Sequence, residues 1–222
     1  MSALIRFRGE DLGYQGRTVL AGLELTVTAG QRIALLGRSG AGKSTLITAI
    51  YRRLVSAGTA VALVPQDHAL VPQLSVFHNI YMGRLERHGA LYNLVNLARP
   101  MRSEVAQVRP VAATLGLEPE LFRPVERLSG GQRQRVAVGR ALHRGGTVLL
   151  ADEPVSAVDE AQGRTLVDVM RAHFTTLVLA VHAVELATEF ADRILGLRGG
   201  RVVVDTLASR ITRADLDAIY AT

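Results

Sequence analysis

The run Gly37, Arg38, Ser39, Gly40, Ala41, Gly42, Lys43, Ser44 and Thr45 follows the apolar stretch Ile33-Ala34-Leu35-Leu36 and precedes Leu46, Ile47 and Ile50 at helical spacing. A glycine-rich turn between a buried strand and a helix is the context in which a phosphate-loop pattern is specific. The glycines let successive backbone N–H groups curl toward an anion, and the helix N-terminus adds a favourable dipole. In such a loop Lys43 reaches β and γ phosphates, and the Ser44 hydroxyl can ligate Mg²⁺. A mere turn before a helix would not need the lysine and the hydroxyl at these positions.

Strand and helix signals alternate around this loop, which predicts an α/β fold with a mainly parallel sheet. Residues 23–27 and 32–36 read as strands on either side of Thr28-Ala29-Gly30. Residues 60–64 read as a strand closed by Pro65, and the chain then turns polar and helical from about 75 to about 117. A helix over 131–143, a strand over 147–151, a helix over 160–173 and a strand over 176–181 resume the alternation. Residues 193–197 and 202–205 flank Gly199-Gly200 as a hairpin before a short helical tail. One domain over residues 1–222 is expected, with 1–66 and 127–222 as the core and 67–126 as an inserted helical subdomain.

Composition narrows the function classes. No apolar run approaches membrane-spanning length, and the first residues lack the charged-then-apolar pattern of a signal peptide, so a cytoplasmic chain that does not itself cross a membrane is expected. Zero cysteines exclude disulfides and thiolate metal sites. The net charge of +6 raises the question of nucleic acid. The arginines are scattered, however, and no aromatic residues interleave with them as a base-stacking surface would require. Solvated or membrane-proximal faces are the better reading, and no nucleic-acid partner is expected.

The strand Val148-Leu149-Leu150-Ala151 ends in Asp152 and Glu153, at the edge where open α/β sheets bind ligands. With a phosphate loop present the two acids divide the work: Asp152 toward Mg²⁺, and Glu153 toward the water that attacks the γ-phosphate. His182 follows the apolar run 176–181 and should emerge on the same edge. His68, His78, His88, His143 and His173 have no comparable placement. Leu128-Ser129-Gly130-Gly131-Gln132 opens a predicted helix and presents a hydroxyl and unencumbered amides, an arrangement suited to an anion or simply to a capped helix start. Local physics leaves open whose phosphate that would be.

Taken together these motifs resemble the nucleotide-binding subunit of an ATP-binding-cassette (ABC) transporter, and the resemblance covers nearly the whole chain. It implies a P-loop NTPase core of ABC-ATPase type with a reduced antiparallel β lobe and an inserted helical lobe. It also implies a head-to-tail pair, in which Ser129, Gly130, Gly131 and Gln132 close over the ATP held by a second copy. By the same resemblance Tyr14 stacks on adenine, Gln66 senses Mg²⁺ together with Ser44 and Asp152, and Ser156 to Asp159 touch the opposite subunit. Val158 stands where leucine is more usual in that loop. His182 is the switch residue at the γ-phosphate.

The segments Leu70 to Ile80, Gly83-Arg84-Leu85, Ala151 to Val155 and Ala191 to Arg198 are more narrowly similar to ATPases of phosphonate importers. The resemblance thus implies an ATPase that uses ATP and Mg²⁺, sits at the cytoplasmic face of the cell membrane on an integral permease, and serves a solute-binding protein indirectly. A soluble ABC ATPase acting on nucleic acid or ribosomes is the alternative, and a degenerate inactive site is argued against by Lys43, Asp152, Glu153 and His182. One departure is the short stretch from Lys43 to Gln66, where the family usually places further antiparallel strands.

Overall fold

In the computed structural model, which describes residues 2–221, the chain begins with two long strands, β1 (Ala3–Tyr14) and β2 (Arg17–Thr28), paired antiparallel. Ile5, Phe7, Leu20, Leu23, Leu25 and Val27 turn inward. Gln15 and Gly16 join them with positive φ of 50° and 77°, the twist-matched geometry of a tight hairpin. Sequence patterning shows only residues 23–27 as a strand here. The polar and charged residues of β1 hide its periodicity until β2 is laid beside it.

A six-stranded sheet carries the rest of this unit in the order β4-β5-β6-β3-β7-β8. Its strands are β3 (Arg32–Leu36), β4 (Val61–Val64), β5 (Val148–Asp152), β6 (Thr176–Ala180), β7 (Arg193–Arg198) and β8 (Arg201–Leu207). All pair in parallel except β8, which folds back on β7. β5 and β6 are buried at every position, as strands covered on both faces must be, which is why they read as continuous apolar runs. Gly199 and Gly200, with φ of 55° and 72°, close the β7–β8 hairpin, and the Gly200 carbonyl accepts a bond from Ala21 N at 2.8 Å.

Helix α1 (Lys43–Ser56) buries Leu46, Ile47, Ile50 and Leu54 in one apolar cluster with the inward residues of β1 and β2 and with Ile33, Leu35, Leu150, Val178 and Leu195 of the sheet. Each fully buried side chain of this size contributes roughly 1.5–3 kcal/mol. At the rim the Arg53 guanidinium donates to Glu10 Oε2 at 2.6 Å and lies 4.2 Å from the centre of the Phe7 ring. Among the described residues no strand lies between α1 and β4. The shortened segment therefore leaves the antiparallel lobe with β1 and β2 alone.

A second compact unit holds Asp67–Gly145 and Ala157–His173. It contains α2 (Val76–Tyr81), α3 (Ala90–Ala98), α4 (Arg102–Thr114), α5 (Gly130–Arg144) and α6 (Glu160–His173). The expected helical stretch is broken by a 3₁₀ turn over Met82–Arg87, by Gly89 in extended conformation and by the Arg99-Pro100-Met101 bend, where proline disfavours helix in the preceding residue. Sequence reading drew this lobe as residues 67–126. The compact unit also takes in α5 and α6, because α5 packs on α2, α4 and α6. The close approach is made at Gly139, where a Cβ would lie 3.0 Å from Ile80 and Leu115 side-chain atoms. The first unit is completed by α7 (Val184–Phe190) and α8 (Arg213–Tyr220), whose Ile219 fills the space left by Gly196 on β7. Among the described residues no helix is long and apolar enough to cross a membrane.

Candidate functional site

The parallel register aligns the strand ends that carry the chemistry. Leu35 and Asp152 both lie opposite Ala180, so the chain leaves β3, β5 and β6 on one edge of the sheet. From β3 it enters the loop 37–42, where Gly37, Gly40 and Gly42 have φ of 152°, 80° and 104°. Two of these glycines are also sterically required. A Cβ would lie 2.5 Å from Leu197 O at Gly37 and 2.6 Å from Leu20 Cδ2 at Gly42. Lys43 is 5% exposed, and its ammonium donates to the carbonyls of Gly37 at 2.8 Å and Arg38 at 3.3 Å. Arg38, Ser39, Gly40 and Ser44 are exposed, while Ala41 and Thr45 are buried. The first turn of α1 has no acidic residue, so its positive end is left for an anion.

Asp152 is buried at the end of β5. Burial pushes its carboxyl above the usual carboxylate range; the Ser44 hydroxyl opposes the shift, the Glu153 charge adds to it, and Lys43 and His182 oppose it. Its Oδ1 is buried without a hydrogen-bond partner, an acceptor that a hydrated cation would satisfy. Among the described residues no group of three His, Cys, Asp or Glu side chains gathers to hold a metal alone. Ser44 and Asp152 form a hard-oxygen pair that fits Mg²⁺ when phosphate oxygens supply further ligands.

Glu153 has a left-handed φ of 55°, which a non-glycine residue adopts only under constraint. Its N–H donates to Ala180 O at 3.1 Å, and its carbonyl accepts from Ser156 N at 3.3 Å and Ser156 Oγ at 3.1 Å. This conformation turns the side chain toward β6, where Glu153 Oε1 meets His182 Nε2 at 2.7 Å.

Tyr14 sits at the tip of the β1–β2 hairpin, 44% exposed. It lines a cleft of about 310 Å³ with Thr45, Thr48, Arg52 and Arg53, which run along α1. In the sequence Arg52 reads only as part of the scattered positive charge, with Arg53, because an exposed helical arginine carries no local mark of a cleft. Gln66 is exposed directly after β4 and Pro65.

In the second unit Ser129 caps α5 through a reciprocal pair: its Oγ accepts from Gln132 N at 3.2 Å, and its N–H donates to Gln132 Oε1 at 2.9 Å. Gly130 and Gly131 form the first turn, which also lacks an acid. Asp159 caps α6, accepting from Gln162 N at 2.9 Å. Two further residues of α5 were missed by sequence reading. Gln134 is fully buried and accepts from Ala157 N at 2.9 Å. Its spacing with the buried Val138, Ala141 and Leu142 placed a polar residue in an apolar stripe, which was the available signal. Arg140 donates to the carbonyls of His68 at 2.5 Å and Ala69 at 2.6 Å, two consecutive residues with φ of 60° and 45°.

Comparison with known proteins gives a consistent picture. Residues 20–156 match the family model described as ABC transporter. The chain is 36% identical over 244 aligned positions to the phosphonates import ATP-binding protein PhnC 1 of Pseudomonas savastanoi pv. phaseolicola, covering 98% of this chain and 91% of that one. It is 38% identical over 246 positions to the phosphonates import ATP-binding protein PhnC of Pseudomonas putida, covering 99% and 91%. Among solved structures, a bacterial Atm1-family ABC exporter with ATP bound superposes with a TM-score of 0.77 at 28% identity, covering 95% of this chain and 40% of that one. A dimeric bacterial ABC transporter cassette superposes with a TM-score of 0.77 at 22% identity, covering 91% and 98%.

Proposed function

Because this chain belongs to the ABC transporter family, we propose that it is the ATP-hydrolysing subunit of an importer for a phosphonate or a related phosphorus oxyanion, peripheral to the membrane through a permease. The solute class rests on the names of the relatives, and the catalytic reading rests on the site. The observation that carries it is the shared sheet edge, which brings the phosphate loop, Asp152, Glu153 and His182 together from β3, β5 and β6.

ATP binds with its phosphates along the amides of residues 37–45 and its adenine against Tyr14. Lys43, whose ammonium lies in the loop against the Gly37 and Arg38 carbonyls, serves the β and γ phosphates. Ser44, Gln66 and Asp152 would hold Mg²⁺, which would neutralise charge on the phosphate oxygens. Glu153 orients and polarises the water for in-line attack on the γ-phosphorus, and His182 shares that carboxylate and contacts the γ-phosphate. Ser129, Gly130, Gly131 and Gln132 of a second copy complete the site, and Ser156 and Asp159 touch the opposite copy. ATP binding draws the pair shut; hydrolysis and release of products let it open, and the permease follows.

The test is to purify the chain with its membrane partner and measure ATP hydrolysis with Ser129→Arg. Loss of cooperative, partner-stimulated turnover with retained ATP binding is expected. Untouched cooperative turnover would remove the composite site. Binding of phosphonate, phosphite and phosphate to the co-purifying solute-binding protein tests the solute class; absence of all three would overturn it.

A further inference from the structure

Gln134 lies one turn beyond the start of α5, and none of its side chain is exposed. Its Oε1 accepts the N–H of Ala157, an exposed residue at the head of the loop that leads to Asp159 and α6. A second contact closes the same joint from the other side. A Cβ at Gly131 would sit 3.0 Å from Val158 Cγ1 and 3.1 Å from Ala157 O, so the bare glycine lets the loop lie on the first turn of α5. The far end of the loop is fixed too, because the Asp159 carbonyl accepts from Gly163 N at 2.8 Å and its carboxylate from Gln162 N at 2.9 Å.

A polar amide in an apolar stripe is desolvated at a cost that leucine would avoid, so its place there needs a polar partner. One partner, the donor to its Oε1, is a backbone N–H of a loop rather than of a helix or strand. We propose that Gln134 is a positioning residue that locks residues 157–159 to the turn 129–132, so that Ser129 and Asp159 meet a second copy as one preformed surface. The inference rests on the reading that residues 129–132 complete a second copy's site. Without the lock, the loop would have to be ordered separately each time the pair closes, and that lost conformational freedom weakens association.

The experiment uses the full chain carrying Glu153→Gln, which is expected to hold ATP while turning it over far more slowly. MgATP-driven dimerisation is followed by light scattering, hydrogen exchange at the Ala157 amide by NMR or mass spectrometry, and ATP binding with a fluorescent analogue at protein concentrations too low to pair. Adding Gln134→Leu is expected to speed Ala157 exchange and to raise the ATP midpoint for dimerisation, each by about tenfold, with monomer ATP affinity unchanged. Val158→Ala, at a half-buried position, should give a smaller defect in the same direction and stands in if Gln134→Leu does not fold.

Faster exchange with unchanged dimerisation would reduce Gln134 to a local structural role, and unchanged exchange would remove the lock. If the Glu153→Gln parent does not pair in MgATP, the composite-site reading itself fails. That failure is told apart because Ala157 exchange would still respond to Gln134→Leu.

Discussion

The imidazole Nε2 of His182 lies 2.7 Å from Oε1 of Glu153, joining residues that leave the neighbouring strands β5 and β6. The contact exists because two constraints coincide. The parallel register sets the strand ends side by side, and the left-handed backbone at Glu153 aims its side chain across to β6. The carboxylate is mostly covered, at 17% exposure, while the imidazole is half exposed at 52%.

Glu153→Gln keeps the shape of the side chain but removes the carboxylate proposed as the base. ATP binding should be retained and steady-state turnover should fall by about 10²–10⁴-fold, the range over which positioned acid–base groups act. Phosphate release measured beside nucleotide affinity checks this. Hydrolysis at the parent rate would take Glu153 out of its role.

Glu153→Gly should be inactive yet more stable than Glu153→Gln by about 1 kcal/mol, because glycine adopts φ of 55° without the clash that a Cβ brings. Urea unfolding of the two variants makes the comparison with the carboxylate absent from both. Equal midpoints would mean that the backbone at this position is not strained.

His143 supplies a pH dependence. It is 2% exposed, and burial, aided by the charges of Arg84 and Arg87, pushes its pKa down to about 4. The folded chain therefore keeps the ring neutral while the unfolded chain takes up a proton below about pH 6.5. The contribution is fully present above that pH and is lost progressively as pH falls toward about 4, to a total of about 3 kcal/mol. His143→Leu should flatten the fall in unfolding free energy between pH 7 and pH 5. Parallel pH profiles for parent and variant would contradict the assignment.

Arg140→Lys should destabilise the chain by about 1–3 kcal/mol despite keeping the charge, since an ammonium cannot fork onto the His68 and Ala69 carbonyls as the guanidinium does. Thermal unfolding gives the size of the loss, and proteolysis between residues 66 and 70 should quicken. A variant as stable and as resistant as the parent would show that the left-handed turn holds without its clamp.

Local chemistry made much of the site legible in the sequence. The phosphate loop was readable because its glycines, lysine and hydroxyl are contiguous and because short buried parallel strands read as unbroken apolar runs. Asp152, Glu153 and His182 followed, since each stands at the end of such a run. β1 was not readable: its buried positions alternate only weakly, and its strand character comes from pairing with β2.

What the sequence by itself determined was therefore the fold class, the glycine-rich loop between β3 and α1 and the identity of the residues at three strand ends, all of which depend on neighbours a few positions away. The tertiary structure decided the backbone strain at Glu153 and the Glu153–His182 contact. It also decided the grouping of α5 and α6 with the helical unit, the lock between Gln134 and Ala157 and the clamp from Arg140 to His68 and Ala69. Those last contacts join residues 23, 71 and 72 positions apart. A hydrogen bond across such a span leaves no periodic trace in either segment, because it is set by the packing that brings the segments together.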